Sequence, residues 1–166
     1  MYFIRNLQKT DGMAQLRVVI VDDEFHAREN LKLILSEYYS NQIECVGEAS
    51  NGNDALMLAQ EMEFDLIFLD IQLSDGLSFE IFEEVTVDSA IIFTTAYDEY
   101  AIKTYELEVL DYLMKPISFP RFLKTVNRAF KELNSNLTSN LKVAKRAHIF
   151  IKVDKKKMQK IYLDEN

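Results

Sequence analysis

Carboxylates stand directly after two apolar runs of this sequence. The run at residues 18–21 leads into the acid pair Asp22 and Asp23, and the run at residues 66–69 ends in Asp70. Carboxylates held close together repel each other and raise at least one pKa, unless a cation neutralises them. Mg²⁺ suits such a group, because it takes one or two carboxylates together with waters and phosphate oxygens. A carboxylate left partly free there can attack phosphorus and form an acyl phosphate.

Two further polar positions end apolar runs and suit the same chemistry. Thr94 and Thr95 close a third run, and Lys115 follows a fourth at residues 111–114. A lysine pairs with phosphoryl oxygens, and a hydroxyl donates hydrogen bonds to them. Each residue also has an ordinary structural interpretation, since Asp favours turns and Thr favours strands. Their joint occurrence at strand ends favours a single site.

Strands and helices alternate along the part of the chain that carries these residues. Short apolar runs predict five strands, at residues 18–21, 44–49, 66–69, 90–94 and 111–114. Apolar residues at helical spacing predict a helix after each strand. The first two helices carry Ala27, Leu31, Ile34, Leu35 and Tyr38, and then Ala55, Leu58, Ala59 and Met62; the third spans 77–85 and the fourth spans 100–107, with Asp98 as its N-cap. The fifth carries Phe122, Val126, Phe130 and Leu133. This alternation predicts an α/β fold with a parallel sheet covered on both faces. Such sheets bind ligands beyond the carboxyl ends of their strands, which is where the polar residues fall.

Composition limits the classes of protein to which the chain could belong. Its 166 residues, 48% of them hydrophobic, allow one sizeable core and the beginning of a second unit. The apolar runs are too short to cross a bilayer. No basic segment followed by a long apolar stretch opens the sequence, so we expect no signal peptide. The lone Cys45 cannot form an internal disulfide, which suits the cytoplasm, and we interpret it as a core residue. No Cys/His metal cluster is present in the sequence.

Charge divides the chain unevenly. Residues 142–166 contain eight basic and three acidic residues, a net charge of +5, whereas the whole chain carries −8. The first 141 residues therefore carry −13, which disfavours them as a nucleic-acid surface. On charge alone, the basic tail is interpreted as a solvated hairpin or linker.

Residues 17–133 resemble the receiver (CheY-like) domain of bacterial two-component response regulators. The resemblance rests on five features of the sequence: the acid pair Asp22–Asp23, then Asp70, then Thr95, and Lys115 followed by Pro116. It implies a flavodoxin-like (βα)5 fold with strands in the order 2-1-3-4-5. It also implies a cis peptide bond before Pro116.

The resemblance further implies a role for each site residue. Asp70 would accept a phosphoryl group from a sensor histidine kinase. Thr95 and Lys115 would contact that group, and Tyr112 would act with Thr95 as a switch. The implied Mg²⁺ ligands are Asp22, Asp23, Asp70 and the backbone carbonyl of Gln72. The loop DIQLSDG after the acceptor departs from the family, because it is shorter than usual and lacks the common Met-Pro.

Two segments indicate a narrower family. FTTAYDEYAIKTYELEVLDYLMKP resembles receivers of LytTR (LytR/AlgR) transcription regulators, and FIKVDKKKMQKIYLDEN resembles the opening strands of their DNA-binding domain. The predicted organisation is an N-terminal extension at 1–16, the receiver at 17–133, a linker at 134–147 and a truncated LytTR start at 148–166. The resemblance implies dimerisation on phosphorylation and DNA binding only through the missing C-terminal domain. It implies no membrane contact, a bacterial cytoplasmic location, and no catalysis beyond the domain's own phosphoryl transfer and dephosphorylation.

Three alternatives remain open at this stage. The first is a stand-alone phosphorelay receiver, which the length of the full gene would test. The second is a phosphatase of the haloacid dehalogenase type, which also uses an aspartyl nucleophile and Mg²⁺ but would have a second Asp where Gln72 stands. The third is a Rossmann-type nucleotide-binding module, which is disfavoured because the first turn, DDEFHARE, contains no glycine.

Overall fold

A five-stranded parallel sheet with helices on both faces forms the protein. The structure is a computed structural model that describes residues 15–82, 89–100 and 109–138. Its elements in chain order are β1 (Leu16–Val21), α1 (Phe25–Tyr39), β2 (Ile43–Ala49), α2 (Gly52–Glu61), β3 (Leu66–Asp70), β4 (Gln72–Leu73), β5 (Gly76–Leu77), α3 (Ser78–Ile81), β6 (Ala90–Thr95), β7 (Asp111–Met114) and α4 (Phe119–Thr138). The sheet has the order β2-β1-β3-β6-β7, so the predicted flavodoxin-like fold and its 2-1-3-4-5 strand order are confirmed.

The central strands are apolar over most of their length because both of their faces are buried. On β1, Val18 and Ile20 contribute to one core cluster, while Val19 and Val21 contribute to another. Alternate residues of a strand point to opposite faces, so each face requires its own apolar set. The first cluster lies under α1 and α4, and the second lies under α2 and α3.

The helices follow the predicted spacing with one error in α1. Its buried residues are Leu31, Leu35 and Tyr39, whereas the predicted Tyr38 is 56% exposed. Positions four apart share a helix face, so Tyr39 continues the row of Leu31 and Leu35. Tyr38 lies beside that row and instead contacts the ring of Phe119, with ring centroids 4.7 Å apart.

Three other features differ from the expectations. Cys45 is exposed on β2, an edge strand of the sheet, so its interpretation as a core residue is wrong. The antiparallel pair β4–β5 was not predicted, because strands of two residues carry no detectable period. Helix α4 continues to Thr138, past the predicted end of the receiver at residue 133.

Several predicted segments lie outside the described residues. They include nearly all of the N-terminal extension, the end of the 77–85 helix and the whole 148–166 segment. Of the helix predicted at 100–107, only its start is described, and the backbone is already helical at Asp98. Within the described ranges, no helix is both long enough and apolar enough to span a membrane.

Candidate functional site

The carboxyl ends of four neighbouring strands bring the predicted site residues together. Asp22 follows β1, Asp70 ends β3, Thr95 ends β6 and Lys115 follows β7. These strands are adjacent in the order β1-β3-β6-β7, and all of them are parallel. Their last residues therefore meet at one edge of the sheet, as the sequence predicted.

Three carboxylates form the centre of the site. One carboxylate oxygen from each of Asp22, Asp23 and Asp70 lies within 4.8 Å of the other two. Asp22 and Asp70 are buried, whereas Asp23 is exposed and leaves the cluster open to solvent. Hard carboxylate oxygens at this spacing suit a hard divalent cation such as Mg²⁺. The donor set therefore fits the predicted metal.

Lys115 lies between the two buried carboxylates. Its Nζ is 2.7 Å from Asp22 Oδ2 and 3.0 Å from Asp70 Oδ2, and it lies 3.8 Å from Glu24 Oε1. Burial works to lower the pKa of the lysine, but the hydrogen bonds and charges of Asp22 and Asp70 outweigh it and raise the pKa. Lys115 is therefore a permanent cation that neutralises only part of the acidic cluster.

Among the carboxyl groups of the described residues, Asp70 has the largest shift in pKa. Burial raises its pKa from 3.8 to about 6, and the charge of Asp22 adds to the increase. The hydrogen bond and charge of Lys115 and the main-chain N–H of Gln72 oppose the shift. The ionised form of Asp70 is thus disfavoured without a further cation, which is the condition that favours binding of a metal ion.

The hydroxyl of Thr95 and the ring of Tyr112 have partners outside the carboxylate cluster. The Thr95 hydroxyl accepts a hydrogen bond from the N–H of Tyr97 at 3.1 Å and donates to its carbonyl at 3.4 Å. Tyr112 is half-buried on β7 and packs against the second core cluster. Lys115 N–H donates to the Thr95 carbonyl at 2.7 Å, so β6 and β7 stay paired up to the site. The Lys115–Pro116 bond is cis, as predicted.

The loop after Asp70 is held by the carboxylate of Asp75. Asp75 Oδ1 accepts from Gly52 N at 2.7 Å, and Asp75 Oδ2 accepts from Asn53 N at 3.0 Å. These N–H groups belong to the first turn of α2 and have no partner within the helix. Hydrogen bonding by Gly52 lowers the pKa of Asp75. The hairpin β4–β5, which contains Gln72, is therefore tied to α2.

Gln72 connects the same hairpin to the segment after β6. Its side-chain Nε2 donates to the hydroxyl of Tyr100 at 3.2 Å, while its main-chain N–H donates to Asp70 Oδ1 at 3.2 Å. The predicted role of its carbonyl as a metal ligand stays a prediction. The hydrogen bond to Tyr100 joins residues 28 positions apart, and no local pattern indicates it.

Two arginine contacts, one at the site and one at the start of β7, were also missed. Arg28 donates from Nη1 to the main-chain carbonyl of Asp22 at 2.7 Å. Arg121 forms a two-pronged pair with Asp111, at 2.7 and 2.8 Å, and both residues contact Thr125. An arginine on an amphipathic helix looks like a solvated residue in the sequence, so neither contact has a sequence signal.

Comparison with known proteins identifies the family. The response regulator receiver domain family matches residues 18–127. The chain is 39% identical over 125 residues to the sensory transduction protein LytT of Bacillus cereus, covering 74% of this chain and 50% of that protein. It is 40% identical over 138 residues to the transcriptional regulatory protein BtsR of Escherichia coli, covering 82% of this chain and 57% of that protein. The chain spans about half the length of the curated relatives it matches.

The fold agrees with a solved receiver. The crystal structure of the response regulatory domain of protein mrkE from Klebsiella pneumoniae superimposes with a TM-score of 0.65 at 29% identity, covering 72% of this chain and 99% of that chain. The residues matched by the family include the three carboxylates, Thr95 and Lys115. From strand order, site and relatives together, it follows that this chain belongs to the response regulator receiver domain family, whose members are signalling domains.

Proposed function

We propose that the chain accepts a phosphoryl group on Asp70 from the phosphohistidine of a sensor histidine kinase. The observation that carries this proposal is the position of Asp70. One of its carboxylate oxygens lies within 4.8 Å of a carboxylate oxygen of Asp22 and of Asp23, and its Oδ2 is 3.0 Å from Lys115 Nζ. A buried carboxylate between a cation site and an ammonium suits attack on phosphorus, because both neighbours offset charge as it develops.

The residues of the chain perform the transfer mainly by positioning. An oxygen of Asp70 forms the new bond to phosphorus while the bond from phosphorus to the histidine nitrogen breaks, and the electron pair stays on the imidazole. The N–H of Gln72 holds Oδ1 at 3.2 Å, which restricts rotation of the attacking carboxylate. Lys115 then pairs with the phosphoryl oxygens.

The metal ligands are proposed to be Asp22, Asp23, Asp70 and the carbonyl of Gln72. Mg²⁺, when bound, supplies positive charge that offsets the phosphoryl oxygens. Asp23 is the exposed member of the cluster and leaves the metal position accessible from solvent. Asp22 is buried, and its Oδ1 accepts from the N–H of Glu24 at 2.9 Å, which fixes its rotamer.

Phosphorylation would be transmitted through Thr95 and Tyr112. The Thr95 hydroxyl can keep accepting from Tyr97 N–H while it exchanges its weak 3.4 Å donor contact for a phosphoryl oxygen. Tyr112 would then turn inward, changing the face that the helix predicted at 100–107 is expected to form with β7 and α4. Such a change is a shift in population that the phosphate drives by stabilising one state.

The output is proposed to be transcriptional. The relatives are named as a sensory transduction protein and a transcriptional regulatory protein. Residues 1–16 are proposed as an extension, 134–147 as a linker and 148–166 as the start of a LytTR DNA-binding domain. Dimerisation of phosphorylated receivers would place two such domains on paired DNA sites in the bacterial cytoplasm. DNA binding would require the rest of that domain.

Acyl-phosphate formation tests the proposal. The chain is incubated with acetyl phosphate and Mg²⁺, and intact mass spectrometry counts the phosphoryl groups that hydroxylamine removes. We expect one group on the wild-type chain and none on Asp70→Asn. Asp54→Asn is the matched control, because it makes the same change at an exposed carboxylate of α2. Undiminished labelling of Asp70→Asn would refute the assignment, and sustained turnover of a phosphomonoester would favour a phosphatase.

A further inference from the structure

Arg28 is the one cation besides Lys115 that the described residues place in contact with the acid pair. It lies in the first turn of α1, and only 11% of its side chain is exposed. Its Nη1 donates to the main-chain carbonyl of Asp22 at 2.7 Å. Its Nε lies 3.9 Å from Glu48 Oε2, too far for a hydrogen bond, and its Cζ is 5.7 Å from the ring centre of Phe25.

The carbonyl of Asp22 belongs to the peptide unit that joins the two acids. A peptide unit is planar, so a hydrogen bond to its carbonyl also orients the N–H and Cα of Asp23. On the other side of Asp22, its N–H donates to the Ala49 carbonyl at 3.1 Å. The main chain of Asp22 is therefore held from both sides, by β2 and by Arg28.

The exposed position of Asp23 makes this restraint consequential. Asp22 is buried and its Oδ1 accepts from Glu24 N–H, so packing and hydrogen bonding orient its carboxylate. Asp23 is exposed, and packing restricts its side chain less. The orientation of the Asp22–Asp23 peptide therefore contributes to where the Asp23 carboxylate points.

We infer that Arg28 is a positioning residue that orients the Asp22–Asp23 peptide, and through it the Asp23 carboxylate, for binding a divalent cation. This inference rests on the proposed metal site and adds a determinant of its affinity. Partners that orient metal ligands without touching the metal typically change affinity by about 10- to 100-fold when they are removed. In this role the hydrogen bond of Arg28 strengthens cation binding, whereas its positive charge by itself weakens cation binding.

Charge and positioning predict opposite effects for Arg28→Gln. Removing a positive charge near a cation site favours cation binding by Coulomb's law. Removing the restraint on the Asp22–Asp23 peptide disfavours binding, because the carboxylate must then be ordered when the metal binds. The direction of the change in Mg²⁺ affinity therefore separates a positioning residue from a neighbouring charge.

The test is isothermal titration calorimetry of the full chain with MgCl₂. We expect Arg28→Gln to weaken Mg²⁺ binding by about tenfold. Arg28→Lys keeps the charge and also a donor, although one that reaches one bond less far. It should therefore retain part of the hydrogen bond to the Asp22 carbonyl and lose less Mg²⁺ affinity than Arg28→Gln. Arg128→Gln, which removes an exposed arginine paired with Glu132, is the matched control and should bind like the wild type. Binding by Arg28→Gln as tight as the wild type, or tighter, would overturn the inference.

Two further measurements separate the possible failures. Circular dichroism verifies that each variant is folded. If Arg28→Gln does not fold, Arg28→Lys becomes the test, and Mg²⁺ binding by Arg28→Lys as tight as the wild type overturns the inference. In acetyl phosphate labelling, Arg28→Gln should need about tenfold more Mg²⁺ for half-maximal rate, with an unchanged maximal rate. A lowered maximal rate at unchanged Mg²⁺ dependence would contradict positioning of the metal ligands. If the wild-type chain itself binds no Mg²⁺, the proposed metal site fails, whereas equal binding by wild type and variant refutes only the role of Arg28.

Discussion

Replacing Asp70 by Asn should stabilise the protein in the absence of divalent cations. Burial raises the pKa of Asp70 to about 6, so its ionised form is less stable in the folded chain than in the unfolded chain. Asn has nearly the same shape and carries no charge. Lys115 remains paired with Asp22 at 2.7 Å in this variant, so the substitution does not leave an isolated buried ammonium.

The shift in pKa sets the magnitude of this effect. A rise from 3.8 to about 6 corresponds to about 3 kcal/mol, at 1.36 kcal/mol per unit, as an upper bound for such a coupled group. We therefore expect the free energy of unfolding to increase by about 1 to 3 kcal/mol at pH 7.5. Between pH 3.8 and 6 the folded state binds more protons than the unfolded state, so the wild type loses stability as pH rises through this window. At pH 4.5 the advantage of Asn should fall to about one-third of its value at pH 7.5.

Urea unfolding followed by circular dichroism measures this difference at the two pH values. Asp75→Asn is a control with the same change of charge and the opposite expectation, because it weakens the cap on α2 and should destabilise the chain. Mg²⁺ should reduce the advantage of Asp70→Asn, since it stabilises the wild type through the site. If Asp70→Asn is no more stable at pH 7.5, or its advantage does not shrink at pH 4.5, burial does not control the ionisation of Asp70.

Three further substitutions test the surroundings of the site by thermal unfolding. Gly52→Ala would place its Cβ 2.3 Å from Ile81 Cδ1, so we expect the free energy of unfolding to fall by about 1 to 3 kcal/mol. Ile81→Ala in the same chain should restore part of that stability. An unchanged midpoint in Gly52→Ala would contradict this close packing. Asp111→Asn should lower the free energy of unfolding by about 1 to 3 kcal/mol, because it weakens the pair with Arg121. The pKa of Asp111 is lowered in the folded chain, so this loss should shrink as pH falls. A loss that does not depend on pH would exclude the ion pair. Lys115→Met leaves the buried carboxylates of Asp22 and Asp70 without an ammonium and should lower the free energy of unfolding by about 3 kcal/mol. Mg²⁺ should restore part of this stability. Equal stability of the variant with and without Mg²⁺ would argue against a Mg²⁺ site at these two carboxylates.

The fold was predictable because its signals are local. A strand segment buried on both faces must be apolar on both, and residues 18–21 of β1 and 66–69 of β3 have that pattern. Helix α4 was equally clear, with Phe122 and Val126 buried on its inner face. Tyr38 was misassigned because Ile34 and Tyr38, like Leu35 and Tyr39, are four positions apart, and only the tertiary structure shows that Tyr39 packs against Phe130 of α4. Cys45 was misassigned because an apolar composition does not show that β2 lies at an edge of the sheet.

Strand ends and residue types in the sequence were sufficient to group Asp22, Asp23, Asp70, Thr95 and Lys115 at one edge of the sheet. Parallel strands place their carboxyl ends together, so this grouping needs no knowledge of individual contacts. The tertiary structure alone revealed that Lys115 lies between two of the carboxylates, that Asp75 caps α2, and that Arg28 holds the peptide between the paired acids. These contacts join residues from different elements, and their partners depend on packing distances and rotamers that a periodic sequence pattern does not contain.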